Sequence, residues 1–236
     1  MKIDTAVILA GGKGGRLLPL TLNKPKSMIN VIDKPIIDWI LLWLKKNKIK
    51  NIVISVDYKK KVLINYLGSG KKFGVSVTYN DHRGAEETGD AFRSVLKNIK
   101  LPNVFLAMNG DQITDLSIKK VIAQHQKYDP IATIVTCPVR NPYGIVELGE
   151  DHSIKSFAEK PIIPDMLMNA GIYVFNKKIL PYLPEKGRIE ETTFVKLAKN
   201  KNLRAYIHNG FFLTVNDRHD LQNTEKILRE QRLNLV

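Results

Sequence analysis

The sequence predicts an α/β fold, a mostly parallel sheet with helices on both faces and a smaller second lobe. Three observations carry that expectation. Strand-like and helix-like stretches alternate from Thr5 to Thr136, as βαβ units do. Two glycine-bearing loops, Gly11 to Gly15 and Asn109-Gly110-Asp111, fall where such strands end, the edge at which open α/β sheets bind ligands. The chain has 236 residues, 44% of them hydrophobic, enough for one full core and too apolar for a disordered chain.

Thr5 to Leu9 is a β-branched, apolar run ending in Ala10-Gly11-Gly12, a buried strand that feeds a glycine loop. Pro35 opens a helix, because its fixed φ suits the first turn. The apolar set Ile36, Ile37, Trp39, Ile40, Leu42 (or Trp43) and Leu44 demands one wide covered face, and Lys45 to Lys48 ends the helix favourably for its dipole. Trp39 and Trp43, four apart, read as core packing. Strands at Asn51 to Val56, Val75 to Tyr79, Val104 to Met108 and Ala132 to Thr136 alternate with helices at Lys60 to Leu67, Thr88 to Asn98 and Ser117 to Tyr128. From Cys137 onward shorter strands and turns follow, punctuated by Pro138, Pro142, Pro161, Pro164, Pro181 and Pro184. Helices near Glu190 to Lys199 and Asp217 to Arg232 close the chain. This stretch is expected to form a second lobe on the same sheet.

Composition removes several function classes. No segment reaches the ~18 uninterrupted apolar residues of a membrane span, and the N-terminus runs straight into a strand instead of a signal-peptide core. The expectation is a cytoplasmic protein without membrane contact. Cys137 is the only cysteine, so no internal disulfide forms, and no Cys/His spacing makes a zinc site. The net charge of +14 and pI of about 9.7 raise nucleic-acid binding. The lysines, however, come in short groups spread along the chain, with no aromatic stacking pattern between them, which favours a solvated surface. His82, His125, His152, His208 and His219 show no ligand spacing and are expected to have no catalytic role.

The chemistry concentrates in Leu9-Ala-Gly-Gly-Lys-Gly-Gly-Arg-Leu-Leu-Pro-Leu-Thr21, followed by Lys24-Pro25-Lys26-Ser27-Met28. Four glycines let backbone N–H groups close on a phosphate chain, and Arg16 and Lys26 add fixed positive charge. A tight turn after a strand also wants glycine. The spacing is neither that of a P-loop nor that of a dinucleotide-binding fingerprint. The adjacent arginine and lysine tip the balance toward a triphosphate.

These residues, with Asn109-Gly110-Asp111, Phe157-Ala158-Glu159-Lys160-Pro161 and Asn169-Ala170-Gly171-Ile172-Tyr173, resemble the sugar-1-phosphate nucleotidyltransferase family, whose signature is LAGGxGTRLxPLT. The resemblance covers nearly the whole chain and includes five motifs in the family's order. It implies a Rossmann-like fold in one domain, 1–236, with a nucleotide-binding half at 1–136 and a smaller sugar-phosphate-binding half at 137–236, and no C-terminal β-helix. It implies attack of a sugar-phosphate oxygen on the α-phosphorus of a nucleoside triphosphate, with pyrophosphate leaving in line. By similarity Arg16, Lys26 and Asp111 are the catalytic residues. Leu9, Ala10, Gly11, Gly12, Gly14, Gly15, Arg16, Lys26, Gly89 and Asn109 would hold the nucleotide. Gly144, Glu159, Lys160, Asn169 and Gly171 would hold the sugar phosphate, and Asp111 would bind Mg²⁺. Taken singly, Asp111 reads as a turn residue and Glu159 with Lys160 as a surface pair. Their joint occurrence in order reverses that.

Three departures from the family bear on the site. Gly15 stands where the signature has threonine. The segment Gly210 to Leu221 aligns with the family's closing GxWxDIGTPEDY and puts Thr214 where a second metal-binding aspartate is usual. Three outcomes stay open: a metal held by Asp111 with phosphates and water, Asp217 taking over on a shifted loop, or reduced activity. The segment Gly84 to Ala91 corresponds to the family's nucleobase contact, with Gly89 keeping the turn and Asp90 replacing a usual small or apolar residue. The run Tyr143-Gly144-Ile145-Val146-Glu147 and the Glu190 helix resemble the mannose-1-phosphate guanylyltransferase branch, with its heptose relatives. Uridylyl or thymidylyl transfer to a glucose-type sugar, and a non-catalytic regulatory paralogue that binds nucleotide sugars, are the alternatives. A homo-oligomer is compatible with all of these.

Overall fold

The computed structural model describes residues 3–84 and 87–230. Alternating apolar strands and amphipathic helices build the first half. β1 (Thr5–Leu9) leads through the glycine loop to the short ribbon β2 (Asn30–Val31) and β3 (Lys34–Pro35), then α1 (Ile36–Lys46) and β4 (Asn51–Val56). Next come α2 (Lys60–Leu67), β5 (Ser76–Asp81), α3 (Thr88–Asn98) and β6 (Val104–Asn109). A short β7 (Gln112–Thr114), α4 (Ile118–Tyr128) and β8 (Ala132–Arg140) complete this half. The second half has β9 (Ile145–Leu148), β10 (Ile154–Ala158), β11 (Ile162–Asn176), α5 (Thr193–Lys199), β12 (Leu203–Ile207), β13 (Phe212–Thr214) and α6 (Arg218–Glu230). The expected continuation of the last helix to Arg232 lies outside the described residues, as do Ala85 and Glu86 of the expected nucleobase segment.

One seven-stranded sheet runs through both halves in the order β12-β8-β11-β6-β1-β4-β5. β1 pairs in parallel with β4 and β6, as do β4 with β5 and β8 with β12. β11 is antiparallel to both its neighbours, β6 and β8, and joins the two parallel sets. The chain winds from β1 toward β5 and then returns to β6 on the other side of β1. That reversal opens a crevice at the carboxyl ends of β1 and β6.

Strand alternation assigns the core. On one face Ile8, Ile54, Leu106 and Val174 pack with Trp39 and Trp43 of α1 and Val121 of α4. On the other, Val7, Val53, Phe105 and Phe175 pack with Phe92 of α3 and Phe194 of α5. Both tryptophans are core residues, as their spacing predicted, and Trp43 Nε1 donates to the Leu116 carbonyl at 3.0 Å. Phe92 meets Phe175 edge-on at 5.4 Å between ring centroids, a favoured aromatic geometry. Among the described residues no helix is long and apolar enough to cross a membrane.

Three element expectations change. Among the shorter strands expected after Cys137, β11 is instead a long one of 15 residues. The helix expected from Glu190 starts at Thr193, because residues 189–192 form a turn in which the Phe194 N–H reaches the Ile189 carbonyl. The strand after Cys137 does not break at Pro138, since β8 continues to Arg140.

Candidate active site

A cleft of about 810 Å³ opens at the switch between β1 and β6. Its floor is Leu9 and Ala10, and its rim is the loop Gly11 to Arg16. Gly14 has φ 64°, and a Cβ there would meet Thr21 and Lys26 at 3.0 and 3.1 Å. Only glycine takes that backbone without strain. The loop is tied down by Thr21 Oγ1 donating to the Gly14 carbonyl at 3.0 Å and by the Lys26 N–H donating to the Gly12 carbonyl at 3.3 Å. Arg16 ends the rim, exposed to solvent.

The polar centre is made by residues far apart in sequence. Lys26 Nζ lies 2.5 Å from Asp111 Oδ2 and donates to Asn216 Oδ1 at 2.9 Å. The Asn216 amide donates in turn to Thr214 Oγ1 at 2.9 Å. β13 pairs with β7 so that Thr214 faces Gln112, and the Val215 N–H reaches the Asp111 carbonyl at 3.3 Å. The closing segment therefore does come back to Asp111. It presents a neutral hydroxyl and amide, as expected from Thr214 at the position where the family usually has an aspartate.

Asp217 stands at the N-terminus of α6, where its Oδ1 accepts from the Asp220 N–H at 2.8 Å. This is a helix cap, and Asp217 does not line the cleft, whereas Asn216 does. Asn216 had no sequence signal of its own. Only the β7–β13 pairing carries it to a lysine 190 positions away.

The opposite wall holds residues that sequence reasoning passed over. His82, expected to be idle, lines the cleft with Asp57, and a Cβ on Gly11 would lie 2.4 Å from its ring. Ser55 Oγ holds the imidazole Nδ1 at 2.7 Å. Burial pushes the His82 pKa below its ordinary value, against the pull of Asp57, Asp81 and Asp90. Glu87, Thr88 and Ala91 complete this wall. Gly89, assigned to the nucleotide by resemblance, lies behind it instead. Its N–H donates to the Gly187 carbonyl at 3.1 Å, and a Cβ would strike Pro184 at 2.6 Å, so its missing side chain serves packing. Asp90 forms a reciprocal capping pair with Glu87 at the start of α3.

The sugar-phosphate set is divided in space. Asn169 Oδ1 accepts from the Gly171 N–H at 2.9 Å, and its amide donates to the Tyr173 hydroxyl at 3.0 Å. Gly171 has φ 67°, in the stretch where the β11–β8 register shifts. A Cβ there would collide with Gln112 and, at 2.7 Å, with the amide of Asn109. Asn169 and Gly171 thus adjoin Asn109 at the end of β6. Gly144 and Glu159 face each other across the β9–β10 ribbon, where a Cβ on Gly144 would sit 3.0 Å from Glu159 Oε2. Lys160 is exposed in the turn after β10 with φ 46°. None of the five lines the cleft itself, and Asn169 and Gly171 approach it only through Asn109.

A profile of the nucleotidyl transferase family matches residues 5–215. The chain belongs to that family. It is 31% identical over 196 residues to a UTP–glucose-1-phosphate uridylyltransferase of Synechocystis, covering 76% of this chain and 50% of that protein. It is also 31% identical over 222 residues to mannose-1-phosphate guanyltransferase 2 of Candida glabrata, covering 91% of this chain and 62% of that one. The chain thus spans 50% to 62% of the length of these two relatives. A putative glucose-1-phosphate thymidylyltransferase from Bacillus anthracis superposes with a TM-score of 0.77 at 24% identity, over 96% of this chain and 95% of that one. HddC from Yersinia pseudotuberculosis gives 0.74 at 25%, over 96% and 100%. These likenesses agree with the mostly parallel, helix-flanked sheet.

Proposed function

We propose that this chain transfers a nucleotidyl group from a nucleoside triphosphate to a sugar 1-phosphate, giving a nucleotide sugar and pyrophosphate, and that the reaction is guanylyl transfer to a mannose- or heptose-type sugar. The observation that carries the reading is the clamp of Lys26 between Asp111 and Asn216, set below a glycine loop at the sheet's switch point. The sugar-phosphate oxygen attacks the α-phosphorus, and the bond to the pyrophosphate oxygen breaks. No covalent enzyme nucleophile is needed, so positioning and charge neutralisation supply the rate. Backbone N–H groups of Gly11 to Gly15 receive the triphosphate, and Arg16 and Lys26 offset the charge that grows on departing pyrophosphate. Asn169 and Gly171, beside Asn109, stand on the acceptor side, and Lys160 in the turn after β10 is the residue that takes the acceptor phosphate.

The donor set fits one hydrated magnesium ion. Asp111 is 20% exposed and offers a carboxylate to the cleft, with the Asn216 amide oxygen, held by Lys26, as the neutral oxygen beside it. Mg²⁺ takes one or two carboxylates and completes its shell with water and substrate phosphates. It would supply Lewis-acid polarisation of the phosphoryl group. The capping role of Asp217 favours Asp111 as the principal ligand.

The guanylyl preference is supported by the Tyr143 to Glu147 run and by the names of relatives such as the Candida protein. A cytoplasmic location suits these substrates. Pyrophosphate release with each common nucleoside triphosphate and a panel of sugar 1-phosphates tests the proposal. Activity with UTP or dTTP and a glucose-type phosphate would replace the guanylyl reading. The neutral Thr214 and Asn216 favour one rival, a regulatory paralogue, and silence across the panel with retained nucleotide-sugar binding would establish it.

A further inference from the structure

The lysine groups that look scattered in sequence converge in space. In an α/β sheet the helices run against the strands, so helix C-termini and the turns into parallel strands share one end, opposite the cleft. The turn into β4 carries Lys45, Lys46, Lys48 and Lys50, and the turn into β5 carries Lys71 and Lys72. Lys97 and Lys100 lead into β6. Lys177 and Lys178 follow β11, which leaves the sheet at this same end because Asn176 pairs with Val104. Lys199 and Lys201 precede β12. The acids nearest these lysines are Asp4 and Asp129, while the connection after β11 carries Glu185, Glu190 and Glu191 further on, toward the start of α3. The cleft end, by contrast, mixes its cations with Asp57, Asp81, Glu87, Asp111 and Asp115.

Two ordinary explanations fall short. Stabilisation of helix C-termini accounts for Lys45, Lys97 and Lys199 in last helical turns, but not for Lys50, Lys71, Lys100, Lys178 or Lys201, which lie beyond them. Steering of anionic substrates would place the charge around the cleft, and it lies at the far pole. Among the described residues Lys48, Lys50, Lys71, Lys100 and Lys201 form no ion pair.

We propose that this pole is a docking surface for an anionic lipid bilayer, which leaves the cleft facing away from the membrane and open to substrates. The chemistry favours lipid over nucleic acid. Lysine, a hydrated point charge, suits diffuse attraction to headgroups, whereas Arg204 is the lone guanidinium in these segments. Tyr128, 50% exposed at the same end, lies within 5.2 Å of Lys127 and 5.5 Å of Arg204. A tyrosine between cations matches the water–lipid boundary, where its ring and hydroxyl partition differently.

Co-sedimentation of the full chain with vesicles tests this. Binding is expected to mixed phosphatidylglycerol and phosphatidylcholine vesicles, to vanish on pure phosphatidylcholine, and to weaken in high salt. Each lysine near an anionic surface contributes about fivefold to partitioning, so the combined variant Lys50→Glu, Lys71→Glu, Lys100→Glu, Lys178→Glu should lose about 10²-fold or more. Its thermal unfolding and pyrophosphate release serve as folding controls. A matched variant at the other end, Lys61→Glu, Lys119→Glu, Lys120→Glu, Lys186→Glu, changes net charge equally and should keep most of the binding. Equal losses from both variants, no binding to anionic vesicles, or tighter binding to duplex RNA or DNA of the same phosphate concentration would each overturn the proposal.

Discussion

Replacing Asp111 by asparagine keeps the shape of the side chain and removes one negative charge from the centre of the cleft. Lys26 Nζ lies 2.5 Å from the carboxylate, with the two side chains 16% and 20% exposed. After the change Lys26 keeps a neutral acceptor, Asn216 Oδ1 at 2.9 Å. A hydrogen bond between charged groups contributes about 1.5–3 kcal/mol, and partial exposure lowers this to about 1–2 kcal/mol here. The expected fall in Tm is about 2–8 °C for a domain of this size, so the protein stays folded at assay temperature. The functional cost is larger, because polarisation of the reacting phosphate by a bound metal is worth several kcal/mol, or about 10³-fold or more in rate. Pyrophosphate release measured across a magnesium titration, with Tm followed in parallel, reads both effects. Activity within about tenfold of the parent at the same magnesium requirement, or a deeper loss from Asp217→Asn than from Asp111→Asn, would refute the assignment. Thr214→Asp, which restores a second anionic oxygen, should preserve or raise activity.

The other expectations are readily separated. Arg16→Ala should lower turnover by about 10²-fold or more with Tm unchanged, since the side chain is exposed and acts on the leaving group; near-normal turnover would remove that role. Lys160→Ala should raise KM for the sugar 1-phosphate more than KM for the nucleotide, and equal effects would count against acceptor binding. Gly11→Ala drives a methyl to 2.4 Å from the His82 ring, which Ser55 restrains, so it should cost about 1–3 kcal/mol; Gly11→Ala combined with His82→Ala should recover stability, and failure to do so would place the strain elsewhere. Burial holds both His82 and His125 below the ordinary value of 6.5, so the unfolded chain takes up protons first on acidification. Stability should be full above 6.5 and be lost as pH falls through the depressed folded values. His125→Gln should flatten the slope of Tm between pH 7.5 and pH 5.5, roughly the range over which an ordinary histidine titrates, and an unchanged slope would exclude it as the source.

Local signals determined much of this protein. β1, β4, α2 and α3 begin and end where the sequence places them, because β-branched runs, amphipathic spacing and flanking glycine or proline act within a few residues. The glycine loop and Lys26 stand out for the same reason, since close phosphate approach needs glycine and fixed charge near in sequence, whereas Asp111 alone reads as a turn residue and enters only through the resemblance. Tertiary structure decided what depends on distant partners. The insertion of β11 between β6 and β8 follows from pairing, and its outer half is largely exposed, so no alternation of apolar residues could mark it. Asn216 meets Lys26 only because β13 pairs with β7, His82 reaches Gly11 only because β4 and β5 lie beside β1, and Gly89 is a glycine because the turn at 184–187 packs on it. Charge followed the same rule: separate lysine pairs look like solvated turns one at a time, and only the common direction of the strands gathers them at one pole.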